Sequence, residues 1–144
     1  MKVKIINKSN NEIPTYATKG SAGIDLRAYI EKSITLNHME YKMIPTGIYI
    51  ELPSDTFGMI TPRSGLAAKY GISIVNSPGI IDESYRGELK IIMMNQGKEP
   101  FEIFNGDRIA QMLLMKYENI EFEIAEELSE TERGTGGFNS TGIK

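Results

Sequence analysis

"GIYIELP", residues 47–53, alternates: Tyr49 and Glu51 separate Ile48 from Ile50, and Pro53 ends the run. A period of two belongs to a strand with one face buried and one face wet. Working outward, the same kind of segment recurs. "VKIIN" (3–7), "FGMITP" (57–62), "ISIVN" (72–76), "LKIIMMN" (89–95), "IAQMLLMKY" (109–117) and "EFEIAEE" (121–127) are short runs that favour strands. Turn residues punctuate them: Pro45, Pro53, Pro62, Pro78-Gly79, Gly87, Gly97 and Asn105-Gly106. Short strands broken at such intervals predict an all-β sandwich or barrel. Only "SGLAAKYG" (64–71) reads as a helix, about two turns long, with Ser64 as its N-cap and Gly71 as its stop. From Ser129 onward apolar residues almost vanish. Residues 1–128 are therefore expected to form one β domain, and 129–144 a mobile arm.

Composition narrows the function. A chain of 144 residues suits one domain, able to bury roughly two thirds of its unfolded surface. It has no cysteine and a single histidine, His38, so neither a disulfide nor a thiolate or histidine metal cluster is available. The net charge of −3 lacks the basic excess that neutralising a nucleic-acid backbone requires, so no nucleic-acid partner is expected. The opening "MKVKIINKSNNE" turns polar too early for a signal peptide. No run approaches the roughly 18 apolar residues of a membrane span. A cytoplasmic protein with no membrane partner is the expectation.

Five stretches carry chemistry. "SAGIDLRAY" (21–29) sets Asp25 between Ile24 and Leu26 on a strand, where it either faces water or serves as a ligand. In "TPRSGLAAKYG" (61–71), Pro62 ends a strand and Arg63-Ser64-Gly65 opens the helix. Backbone N–H groups, a guanidinium fork and a hydroxyl together suit a phosphate, though a capped helix with a solvated arginine fits equally. "NSPGIIDESYRGELK" (76–90) reads as a hairpin, with Asp82 following Ile80 and Ile81. A carboxylate against apolar walls can act as a general base, and Tyr85 can lie against a ring; a turn aspartate and a packed tyrosine are the plainer alternative. "NGDRIAQMLLM" (105–115) holds one polar residue, Gln111, in an apolar run, either for solvent or for its amide. "RGTGGFNSTG" (133–142) is not a Walker loop, since no Gly-Lys-Ser/Thr follows its glycines. It still offers an arginine, backbone N–H groups, hydroxyls and an aromatic face, which suit a nucleoside phosphate as well as a disordered tail would.

Together and in this order, "AGIDLRA", "PRSGLA", "GIIDESYRGEL", "GDRIAQM" and "RGTGGFNSTG" resemble the five motifs of the trimeric dUTPase family, over about residues 12–142. Thr135 and Pro78 are minor variations. The resemblance implies a jelly-roll-like, distorted β-barrel and a homotrimer. Each active site would lie between subunits and be closed by the tail of a third. The implied reaction is hydrolysis of dUTP to dUMP and pyrophosphate with Mg²⁺ on the triphosphate, limiting uracil incorporation into DNA and supplying dUMP for thymidylate synthesis.

By position, the resemblance makes Asp82 the general base for water attacking the α-phosphorus. Gln111 becomes the amide near the phosphates and that water, and Asp25 the metal-site carboxylate, acting through water. Arg63, Ser64 and Gly65 become the phosphate grip. Tyr85 becomes the ring under the deoxyribose, and Asn76, Gly79 and Ile81 the uracil reader. In the tail, Phe138 becomes the ring over uracil, and Arg133, Gly136, Ser140 and Thr141 the contacts to the outer phosphates. A dCTP deaminase on a related fold and a nucleotide-binding regulator without turnover are the alternatives. The first would release ammonia, and the second would release nothing.

Overall fold

Ile48 and Ile50 are buried and Tyr49 and Glu51 half-buried, so the run at 47–53 folds with the face pattern its alternation predicts. The protein is described by a computed structural model over residues 2–137. Among these, the strands in chain order are β1 (Lys4–Asn7), β2 (Ile24–Arg27), β3 (Ile34–Leu36), β4 (Tyr41–Pro45), β5 (Ile48–Glu51), β6 (Thr56–Thr61), β7 (Ile72–Ile74), β8 (Gly79–Ile81), β9 (Lys90–Asn95), β10 (Phe101–Ile103) and β11 (Arg108–Lys116). The helix α1 spans Ser64–Tyr70. The pairings are antiparallel and build four sheets: β1-β5, β10-β3, β2-β11-β6-β8 and β4-β9-β7. These wrap into the jelly-roll-like β-barrel that the family resemblance implies.

The core draws on every sheet. Leu26, Leu36, Ile44, Leu89, Ile91, Met93, Ile103 and Ile109 are its largest sealed apolar side chains. Each such side chain contributes about 1.5–3 kcal/mol by leaving water. Three polar residues, Thr46, Thr56 and Asn95, are sealed among them, and Asn95 makes the most hydrogen bonds. Asn95 donates to the carbonyls of Leu36 and Glu99, both at 2.8 Å, and accepts from the Gly97 amide at 2.9 Å. It thereby ties the end of β9 to the end of β3 and to the turn that follows.

Three local expectations change. The helix cap falls one residue earlier, at Arg63, whose extended backbone (φ −87°, ψ 127°) turns the chain into the helix without a side-chain capping bond. Ser64 is the first helical residue, so its hydroxyl is not used as a cap. Gly71 does stop the helix, at φ 70°, in the left-handed region glycine adopts cheaply. The stretch 76–90 is not a hairpin: β8 pairs with β6, whereas β9 pairs with β4 and β7, so Asp82–Leu89 cross between two sheets. Finally, 121–127 forms no strand. Phe122 and Ile124 alternate correctly but are 87% and 100% exposed. Among the described residues no strand lies alongside, and an unpaired strand leaves its N–H and C=O groups without a ladder.

Candidate active site

The outer face of the four-stranded sheet carries the first cluster. Asp25 of β2 lies opposite Gln111 of β11, and Gln111 lies opposite Thr61 of β6, so one row of cross-strand neighbours holds all three. Pro62 then ends β6 and delivers Arg63, Ser64 and Gly65 to the same place. These residues line a cavity of about 580 Å³ together with Gly23, Met59, Leu113 and Arg108. Arg63 Nε donates to Asp25 Oδ1 at 2.8 Å, and Arg108 Nη1 to Asp25 Oδ2 at 3.3 Å. Two guanidinia against one carboxylate leave this cavity cationic within an acidic chain, the field an anion needs. Because α1 has only seven residues, the positive field of the cavity comes from these side chains rather than from a helix dipole. Gln111 Nε2 donates to the Pro62 carbonyl at 3.1 Å, which fixes its amide.

Asp82 lies elsewhere. It lines a cavity of about 530 Å³ with Phe57, Ile80, Glu83, Ser84 and Tyr117. Glu83 holds this loop by accepting the Asp55 amide at 2.7 Å. Tyr117 packs edge-on to Phe57, with ring centroids 6.3 Å apart. Burial raises the Tyr117 hydroxyl above its ordinary range, helped by the charge and hydrogen bond of Glu83 and then by the charges of Asp55 and Asp82.

Ile81 and Tyr85 line a third cavity, of about 520 Å³, with Met43, Tyr49, Glu88, Lys90 and Ile92. The Tyr85 hydroxyl donates to the Glu88 carbonyl at 3.0 Å. Gly87 makes this possible, because a Cβ there would run into the Tyr85 ring and hydroxyl. The Asn76 amide sits beside Gly79, 3.4 Å from where a Cβ on Gly79 would lie.

One chain therefore does not unite all the predicted residues. Asp25, Arg63, Ser64, Gly65 and Gln111 come together, and so do Ile81 and Tyr85, but Asp82 stands apart from Gln111. Ile81 faces Gly58 and Gln111 faces Thr61, on opposite sides of β6. Two strand spacings across and about four residues along put Asp82 and Gln111 roughly 16 Å apart. A general base must lie within about 3 Å of its proton, or one water away. Arg133 donates to Gly136 within the arm, at 2.8 Å, and approaches none of the three cavities. Phe138, Ser140 and Thr141 fall outside the described residues.

A model of the dUTPase family matches residues 9–142. The deoxyuridine 5'-triphosphate nucleotidohydrolase of Finegoldia magna is 57% identical over 142 residues, 99% of each chain. The chain belongs to the dUTPase family. The solved dUTPase of Staphylococcus bacteriophage 80alpha with dUPNHPP superposes with a TM-score of 0.89 at 25% identity, covering 99% of both chains. A mutant dUTPase from phage phi11 of S. aureus, whose structure describes the coordination of a structural Mg(II) ion, has a TM-score of 0.81 at 22% identity. It is covered in full by 90% of this chain.

Within this dUTPase fold, the described residues include no group of three or more His, Cys, Asp or Glu that could cage a metal. A hard cation arriving on triphosphate oxygens keeps most of its waters and needs only one or two carboxylates. Asp25 has lone pairs left after its two arginine bonds, so the residues fit such an ion. Sequence reasoning missed Arg108. It stands in "GDRIAQM" three residues before Gln111, and residues three apart on a regular strand point to opposite faces.

Proposed function

We propose that this protein hydrolyses dUTP to dUMP and pyrophosphate, at sites built between the copies of a homotrimer. The observation that carries the reading is the convergence of Asp25, Arg63, Ser64, Gly65 and Gln111, from three separate parts of the chain, on one cationic cavity. The near-full-length relative named for dUTP hydrolysis supports it. Shared sites reconcile the geometry, because the cavity of one copy can meet Asp82 and Tyr85 of another. The bare apolar side chains of Ile120, Phe122, Ile124 and Leu128 also call for cover from a neighbouring chain.

In this reading the Asp82 carboxylate takes a proton from water. The water oxygen bonds to the α-phosphorus, the bond from that phosphorus to the bridging oxygen breaks, and pyrophosphate leaves with the electron pair. Gln111, fixed on Pro62, orients the water, and Arg63, Ser64 and Gly65 hold the phosphates in line. Asp25 would hold, through water, a magnesium ion arriving on the triphosphate, and the ion would supply charge neutralisation there. Tyr85 lies under the deoxyribose and leaves no room for a ribose 2′-OH. Asn76, Gly79 and Ile81 read uracil. A thymine methyl is worth only about 1–3 kcal/mol in a pocket, so closure must sharpen the choice. The arm from Ser129 onward supplies that closure, with Arg133, Gly136, Ser140 and Thr141 on the outer phosphates and Phe138 over the base.

The test is pyrophosphate release from dUTP, dTTP, dCTP and UTP, with ammonia release from dCTP in parallel. Only dUTP is expected to turn over. Asp82→Asn is expected to lose roughly 10²–10⁴-fold in turnover while binding dUTP within a few-fold of the parent. Ammonia from dCTP, or normal turnover by the variant, overturns the reading.

A further inference from the structure

β11 contains one irregularity, and it lies next to the cationic cavity. Arg108 pairs with Arg27 and Ala110 with Leu26, so Ile109 is an extra residue on its strand. Ile109 and Ala110 are both sealed in the core, 2% and 0% exposed, which strict alternation forbids. The bulge resets the facing of the strand. Arg108 and Gln111, three residues apart, consequently line one cavity on the same side as Asp25.

We infer that Arg108 is a further phosphate-binding residue, aimed into the cavity by this bulge and held ready by Asp25. The assignment rests on the proposed reading of that cavity as the phosphate site. Arg63 and Asp25 alone would form a neutral pair with little net pull on an anion. Arg108 supplies the excess positive charge. Among the described residues its guanidinium meets one side-chain partner, Asp25 Oδ2, and its side chain is 47% exposed. A guanidinium carries five N–H donors, so most remain for an incoming oxygen. Asp25 holds both arginines, one on each oxygen, and Arg63 Nη1 also donates to the Arg108 carbonyl at 3.3 Å. The two forks are thereby spaced as a unit, and Asp25 is a positioning residue for both.

The experiment measures binding of inorganic tripolyphosphate and of the phosphate-free nucleoside deoxyuridine to the full chain by calorimetry, in chelator, across a salt series. Arg108→Gln is expected to weaken tripolyphosphate about tenfold and to flatten its salt dependence, with deoxyuridine bound within twofold of the parent. Arg108→Lys restores the charge but not the fork. It is expected to recover the salt slope and only part of the affinity, which separates anion binding from a fold defect. Tripolyphosphate affinity within twofold of the parent in Arg108→Gln overturns the inference, as does equal loss of deoxyuridine and tripolyphosphate in both variants. Because no nucleotide turnover is read, absence of dUTP hydrolysis in the parent would sink the proposed function by itself and leave this measurement standing.

Discussion

Tyr117 directly follows β11, and its hydroxyl looks back at the loop bearing Asp82. Burial raises its proton affinity, with Glu83, Asp55 and Asp82 adding to the effect. The sign follows. The folded state favours the neutral phenol, so this contribution to stability is fully present below the ordinary tyrosine range near 10. It is lost as pH rises through the higher folded value. Among the seven tyrosines, Tyr117 is expected to ionise late in an ultraviolet titration, and Glu83→Gln to bring that step earlier. An unchanged titration in the variant would show that Glu83 does not face the hydroxyl. Single residues of this kind were only partly legible in the sequence. Asp82 and Tyr85 stand out by motif, whereas Glu83 and Tyr117, 34 positions apart, meet only because β6 pairs with both β8 and β11.

Among the elements, β11 and the arm behave differently from what alternation alone suggests. β11 was visible as an apolar run containing one glutamine, but its bulge was not. An extra residue leaves no local mark when both residues at the break are apolar, as Ile109 and Ala110 are. The run at 121–127 shows the reverse case: its pattern is that of a strand, yet a strand needs a neighbour. Farther on, the hydrogen bonds of residues 131–136 stay within that segment, from Gly134 to Thr131, Gly136 to Arg133 and Arg133 to Gly136. Among the described residues, cutting the chain after Glu132 thus removes no hydrogen bond made to the barrel. The truncated protein is expected to melt within a few degrees of the parent, while kcat/KM for dUTP falls at least about tenfold through loss of the lid. Unchanged kcat/KM would deny the arm any part in closure.

At the scale of the whole molecule, the proposed roles of Asp82 and Gln111, set against the roughly 16 Å between them, require a second copy to complete each site. Mixing is the decisive experiment. Asp82→Asn and Gln111→Ala variants, each inactive alone, are unfolded together and refolded as one population. If sites are shared between copies, a closed ring contains interfaces where an intact Asp82 meets an intact Gln111, about a quarter of all sites under random assortment. Turnover near that fraction is expected from the mixture, and roughly a hundredfold or more below the parent from each separate variant. A mixture as inactive as its parts would place each site within one chain.

The sequence by itself determined the class of structure, the helix and its glycine stop, and the identity of the chemical groups. Those depend on neighbours one to four positions away, through strand alternation, turn residues and motif order. Tertiary structure alone decided which groups share a cavity: Arg108 beside Gln111, two arginines on one carboxylate, and Asp82 set apart from both. Register and bulges arise when distant segments pair, and a shift of one residue reverses the face that every side chain presents.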